Sequence, residues 1–142
     1  GEAGVIAIFI NEMLKGDTPK INGDGEYIRD YIYVEDVANA CLLSIKNMLK
    51  LSRLAEQEKG IHFTSFNLGT GQATSVNQLF CYLKKIINFD REASYGPSRP
   101  GDLRKNILNN QLAKKHLAWH PKYTIQEGLK KTVDWFKSMK NI

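Results

Sequence analysis

Hydrophobic and polar positions change period several times along this chain, and each change marks an element. Val5, Ile6, Phe9, Met13 and Leu14 recur at helical spacing until Gly16 and Pro19 stop the run, which predicts a helix over 5–14. Ile21 before a Gly23-Asp24-Gly25 turn, then the aromatic and β-branched run Tyr27 to Val34, predicts two short strands. Glu35 and Asp36 then place negative charge in the first turn of a helix, where the positive dipole end favours it. Apolar positions at Val37, Cys41, Ile45, Met48 and Leu49 predict that this helix is long and largely buried. The segment 50–59 turns charged and closes on Gly60, a helix tail passing into a loop.

In the second half, His62 to Leu68 reads as a strand stopped at Gly69. Ser75-Val76-Asn77-Gln78 has capping-box spacing for a helix over 76–87. A strand around 93–95 leads into Gly96-Pro97-Ser98-Arg99-Pro100-Gly101-Asp102, whose prolines and glycines exclude regular structure and mark a loop suited to carrying contacts. A short helix near 110–117, a packed corner at Trp119, and a second capping box at Thr124-Ile125-Gln126-Glu127 opening a helix to about 139 complete the reading. No stretch repeats at a fixed period.

Length adds that 142 residues fit one domain. The 42% hydrophobic and 25% charged residues are ordinary globular usage and exclude a disordered or low-complexity chain. The longest apolar stretch, Gly4 to Ile10, falls well short of the roughly 18 residues of a membrane span. A net charge of +5 favours anionic partners, but the pairs Lys84-Lys85, Lys114-Lys115 and Lys130-Lys131 are scattered on polar helix faces and form no nucleic-acid stripe. Small anionic ligands are expected, and neither nucleic acid nor membrane. Cys41 and Cys81, set in apolar helical patterns, read as two buried reduced thiols, which points to a cytoplasmic protein. A chain opening on Gly1-Glu2-Ala3-Gly4 without an initiator Met reads as a piece of a longer one.

Three groups could carry chemistry. Gly69-Thr70-Gly71, between a strand and a helix, could bring backbone N–H groups to a phosphate, or could simply allow a tight turn with positive φ. His116 and His120 are spaced for one helical face, but no carboxylate or cysteine completes a metal set and Pro121 implies that the helix has ended. No metal is assigned, and His62 reads as a structural histidine. The third group is a pair of arginine-bearing loops, Tyr27-Ile28-Arg29-Asp30-Tyr31 and Ser98-Arg99-Pro100-Gly101-Asp102. Guanidinium forks suit diphosphate oxygens and a neighbouring Asp suits ribose hydroxyls, whereas the plainer alternative pairs Arg29 with Asp30 or Asp36 at the surface. Nothing supplies a nucleophile, base and orienting group together, so no catalytic residue is assigned.

Taken in order, Gly1-Glu2-Ala3-Gly4-Val5-Ile6, Ile21-Asn22-Gly23-Asp24-Gly25, Arg29-Asp30-Tyr31-Ile32-Tyr33-Val34-Glu35-Asp36-Val37-Ala38, Phe66-Asn67-Leu68-Gly69-Thr70-Gly71 and Arg99-Pro100-Gly101-Asp102 resemble one family. It is the NAD-dependent nucleotide-sugar epimerase/dehydratase family of extended short-chain dehydrogenases, most closely its UDP-glucose 4-epimerase branch. The resemblance implies an α/β fold, helix-rich with short strands. It also implies that residues 1–142 form a single C-terminal substrate-binding domain, with NAD and the Tyr-x-x-x-Lys catalytic set held by an N-terminal Rossmann half outside this sequence. Arg29 and Arg99 match the arginines that grip the diphosphate, and Asp102 the acid that bonds the ribose. Val76 matches an apolar position of the uracil pocket, Tyr31 a substrate-side tyrosine, and Gly4-Val5 a segment near the sugar diphosphate. Asn22 stands where many members carry an aromatic beside the uracil, and Asn106 where some epimerases carry a tyrosine near the sugar. The strand before Gly69 is expected to join the edge of the Rossmann sheet, so that without its partner the chain would expose apolar surface and self-associate. The implied activity is epimerisation of UDP-glucose and UDP-galactose, or of N-acetylated forms, through a 4-keto sugar. A dehydratase, decarboxylase or reductase of the same family, or a non-catalytic nucleotide-sugar binding module, are the alternatives.

Overall fold

The computed structural model describes residues 4–57 and 64–140. The elements run α1 (Val5–Lys15), β1 (Lys20–Asn22), β2 (Ile28–Arg29), α2 (Val34–Lys46), α3 (Met48–Gln57), β3 (Thr74–Ser75), α4 (Val76–Ile87), β4 (Ser94–Gly96), α5 (Gln111–Leu117) and α6 (Ile125–Lys140). Helices with short strands are the α/β pattern expected. The chain gathers into two compact units, one of residues 1–29, 73–106 and 126–142, the other of residues 30–72 and 107–125.

In the first unit, α1 ends where its sequence stops it, at Gly16 with φ 81°. It packs on α4 through Phe9 and Phe80, whose rings meet edge-on at 6.2 Å. The capping box forms as read: Ser75 Oγ accepts from the Gln78 N–H at 3.2 Å and Gln78 Oε1 from the Ser75 N–H at 2.9 Å. The helix it opens has the predicted bounds. Phe9, Ile10, Met13, Ile21, Leu79, Phe80, Leu83, Leu129 and Val133 are buried. The two strands flanking the Gly23–Gly25 turn do not pair with each other. β1 runs parallel to β4 and β2 antiparallel to β3, so the turn passes between two small sheets instead of closing a hairpin.

In the second unit, Ala40, Ala113, Leu117 and Trp119 form a small core against which Ile32, Leu43, Leu51, Phe66 and Leu68 pack. Trp119 makes the corner expected of it, buried with its indole N–H donating to the Asp36 carbonyl at 2.9 Å. Asp36 does more than complement the helix dipole, because its buried carboxylate accepts from the N–H groups of Lys122 and Tyr123 at 2.9 and 3.3 Å.

Four expectations are corrected. The long helix breaks at Asn47 into α2 and α3, so its apolar stripe does not continue inward; Ile45, Met48 and Leu49 are 68%, 62% and 75% exposed. Cys41 and Cys81 are exposed, each one residue past a buried position and therefore about 100° round the helix from it. The strand over Tyr27–Val34 shrinks to β2, since the Asp30 side chain turns to the 70–71 turn and α2 starts at Val34. Of the strand over 62–68, residues 62 and 63 lie outside the described residues, and Thr64–Leu68 forms no ladder, having no strand beside it among the described residues.

Candidate functional site

β2 is short, but a second segment is laid along it. The Ile28 N–H donates to the Arg104 carbonyl at 2.9 Å and the Asn106 N–H to the Ile28 carbonyl at 3.0 Å, a parallel bridge of Ile28 with Lys105. This brings the end of the 96–106 loop to Arg29. The Arg29 Nη1 donates to the carbonyls of Ile28 and Leu103 at 2.9 and 2.6 Å, and Nη2 donates to Asp102 Oδ1 at 3.0 Å. Arg29 therefore pairs with Asp102, not with Asp30 or Asp36. Both side chains keep access to water, 29% and 44% exposed, so the ion pair itself adds little stability. Among the described residues these three bonds engage both terminal nitrogens of the guanidinium.

Arg99 stands in the same loop, exposed. Its carbonyl accepts from the Asp102 N–H at 3.4 Å across Pro100 and Gly101, the latter at φ 80°. Proline second and a left-handed glycine third are what a type II turn requires, so Arg-Pro-Gly-Asp is a local solution that the sequence dictates. The structure thus brings Arg29 onto the turn that carries Arg99 and Asp102. Asn22 ends β1 opposite Gly96, where the loop begins, and the Gly23 N–H donates to the Gly96 carbonyl at 2.9 Å. Val76 is the half-buried first residue of α4, next to Asn77, whose N–H donates to the Gly25 carbonyl at 3.0 Å. Val5 opens α1, half-buried. Tyr31 belongs to the second unit and is half-buried there.

Several residues of this region escape sequence reasoning. Arg104 makes a two-pronged pair with Asp24, both contacts at 2.7 Å, and its guanidinium carbon lies 4.9 Å from the centre of the Tyr27 ring. The Arg104 fork and the Glu26 N–H hold the Asp24 carboxyl down at about 2. Asn77 donates to the Asp24 carbonyl at 2.9 Å and to Glu26 Oε1 at 2.6 Å, and accepts from the Tyr95 hydroxyl at 3.1 Å. The only signal in the sequence is an Asp between two glycines, which reads as a turn; its partner is eighty positions away.

Gly69-Thr70-Gly71 is resolved in favour of the tight turn. Gly71 has φ 73°, and a Cβ at Gly69 would lie 2.5 Å from Asp30 Oδ2 and 2.8 Å from the Leu108 Cβ. The turn's amides are already used: Asp30 accepts from the N–H groups of Thr70 and Gly71 at 2.8 and 2.9 Å and from that of Leu108 at 3.2 Å. A carboxylate stands where a phosphate would have to sit. His120 lies past the end of α5, apart from His116 on the helix, and no cluster among the described residues could hold a metal ion. A depression of about 850 Å³ in the second unit is lined by Ile45, Met48, Leu49, Lys50, Arg53 and His116 among others, none of them a residue matched to the nucleotide-sugar site. No described helix is long and apolar enough to cross a membrane.

Known proteins bear on this arrangement. Residues 1–67 match the model of the NAD dependent epimerase/dehydratase family. A putative UDP-glucose 4-epimerase of Methanocaldococcus jannaschii is 41% identical over 97% of this chain, and the UDP-glucose 4-epimerase of Mycolicibacterium smegmatis 38% identical over 97%. The chain spans 40% of the length of each. Among solved structures, a UDP-glucose 4-epimerase of Thermotoga maritima with UDP-glucose superposes with a TM-score of 0.82 at 44% identity, covering 99% of this chain and 41% of its own. A UDP-N-acetylglucosamine 4-epimerase of Methanobrevibacter ruminantium, in complex with UDP-N-acetylmuramic acid, superposes at 0.79 with 29% identity, covering 96% and 40%.

Proposed function

We propose that this chain, similar to UDP-glucose 4-epimerases over nearly its whole length and matched by the NAD dependent epimerase/dehydratase family model over residues 1–67, is the UDP-sugar-binding portion of a nucleotide-sugar 4-epimerase. The observation that carries this reading is the Arg29 guanidinium bonded to Asp102 and to the Leu103 carbonyl, on the loop whose Arg99-Pro100-Gly101-Asp102 turn also carries Arg99. Arginine forks suit the diphosphate and Asp102 can accept from ribose hydroxyls. Asn22, which pairs with Gly96 at the loop's start, and Val76, beside the Ser75 that pairs with Ile28, are proposed for the base end of the nucleotide. Val5 is assigned to the sugar end. UDP-glucose and UDP-galactose are the proposed substrates, with N-acetylated sugars as the variation, since Asn106 stands where some epimerases carry a tyrosine near the sugar.

Among the described residues, the Gly69–Gly71 turn does not fit the diphosphate of NAD. The one glycine turn resembling a dinucleotide loop has its amides taken by Asp30, so a cofactor diphosphate would meet a carboxylate there in place of free N–H donors. NAD and the proton-transfer groups are assigned to a companion Rossmann half, and the cell compartment to the cytoplasm.

Titration of UDP into the full-length native protein tests the reading. Arg99→Ala is expected to weaken binding by about 1.5–3 kcal/mol, the usual loss of hydrogen bonds to a charged group. An unchanged affinity removes Arg99 from the site and overturns the reading.

A further inference from the structure

Resting on the nucleotide-sugar reading, we infer that Asp24 and Arg104 are positioning residues, a side-chain clasp that fixes the Arg99- and Asp102-bearing loop before ligand arrives.

The loop needs such a device. Between Gly96 and Arg104 it has no regular structure, and Ser98, Arg99, Pro100, Gly101, Asp102 and Leu103 are all exposed. At its start it is tied to the 20–29 segment by β1–β4 pairing and the Gly23 N–H to Gly96 carbonyl bond. At its end it is tied by Ile28 to Arg104 and Asn106. Both ties therefore reach the same short stretch on either side of Asp24, and their separation across the loop depends on the shape of the Gly23–Gly25 turn. Arg104 fixes that shape, because its fork grips both carboxylate oxygens of Asp24 and its face covers Tyr27.

The turn itself is prepared for the grip. The Glu26 N–H donates to Asp24 Oδ1 at 3.0 Å, which sets the carboxylate, and Asn77 holds the Asp24 carbonyl from α4. Gly25, at φ 73°, leaves the space that the Asn77 side chain fills; a Cβ there would overlap it. The pair is also poorly placed to serve stability, with both side chains more than half exposed. What a planar two-pronged contact does supply at an exposed site is orientation. A loop ordered beforehand loses less freedom on binding, and this is read as affinity.

The test uses the full-length native protein, with UDP as probe, calorimetry for affinity and amide hydrogen exchange for residues 98–103. Arg104→Gln is expected to weaken UDP binding about 3- to 10-fold, the range set by ordering a few side chains and a loop, with Tm unchanged. It should speed exchange of the loop amides in the ligand-free protein and raise KM for the UDP-sugar more than it lowers kcat. Arg104→Lys, which keeps the charge but not the fork, should recover only part of this. Asp24→Asn, which keeps the acceptor for Glu26, should match Arg104→Gln. If Arg99→Ala weakens binding while Arg104→Gln leaves affinity and exchange as they were, the clasp is overturned. If Arg99→Ala has no effect, the nucleotide-sugar reading fails, and loop exchange alone decides the clasp: unchanged rates overturn it.

Discussion

Arg29 and Asp102, seventy-three positions apart, meet at 3.0 Å, and the same guanidinium also holds the Leu103 carbonyl at 2.6 Å. One side chain thus joins β2 to the turn carrying Arg99. A lysine could keep the charge but not the planar fork, whose two terminal nitrogens reach the carbonyls and Asp102 from fixed positions. Arg29→Lys is accordingly expected to weaken UDP binding by about 1–3 kcal/mol, as for lost charge-assisted bonds, and to loosen residues 99–103 in hydrogen exchange. An affinity equal to wild type would show that the fork is dispensable.

The Asp24–Arg104 pair makes a prediction in pH. The folded carboxyl lies at about 2 against an ordinary 3.8, so protons bind the unfolded chain more readily across that interval. A depressed folded value means that whatever the pair contributes is complete above about 3.8 and fades as pH falls through about 2. The contact should therefore be intact at any pH an assay would use. A carboxyl-carbon NMR titration of Asp24 is expected to show its midpoint near the lower value, and Arg104→Gln should return it towards the upper one. A midpoint unaffected by Arg104→Gln would assign the shift to the Glu26 N–H alone.

The Gly69 turn predicts a packing effect. A methyl group at Gly69 meets both Asp30 Oδ2 and the Leu108 Cβ at less than 3 Å, and neither is the loose end of a long side chain. Gly69→Ala should cost about 1–3 kcal/mol in denaturant unfolding, the range for forcing a carbon into a filled site. A stability within about 0.5 kcal/mol of wild type would mean that the turn relaxes freely.

Local signals are legible in the sequence, and distant pairings are not. Ser75 and Gln78 stand one helical turn apart, so their capping box and the helix behind it can be read from four letters; Gly16 and the Pro100-Gly101 turn are local in the same sense. Arg29 and Arg99 can be chosen because guanidinium chemistry narrows the candidates, yet the Asp102 that pairs with Arg29 is set by how β2 and the 104–106 segment align. Asp24 with Arg104 is invisible for that reason. The burial of α2 does not follow from its pattern, because an apolar period says which residues share a face, not whether anything covers it; a single break at Asn47 leaves Ile45, Met48 and Leu49 outside.

Those exposed side chains carry the last prediction. Leu42, Ile45, Met48 and Leu49 are each more than half exposed, and they lie along the end of α2 and the start of α3. Beside them the same region carries Lys46, Lys50 and Arg53, of which Lys50 donates to the His116 carbonyl at 3.2 Å. Apolar surface of this kind favours association of the isolated chain, while the cations and the net charge of +5 oppose it at low salt. Raising the salt concentration screens the repulsion and leaves the apolar term, so association should strengthen between about 50 mM and 500 mM salt, where the Debye length falls to a few ångströms. Sedimentation of the isolated chain measures this directly. Replacing Ile45 and Leu49 together by Lys should abolish the salt-induced shift without lowering Tm, because neither side chain is buried. Association that weakens with salt, or that survives this double substitution, would place the contact elsewhere on the chain.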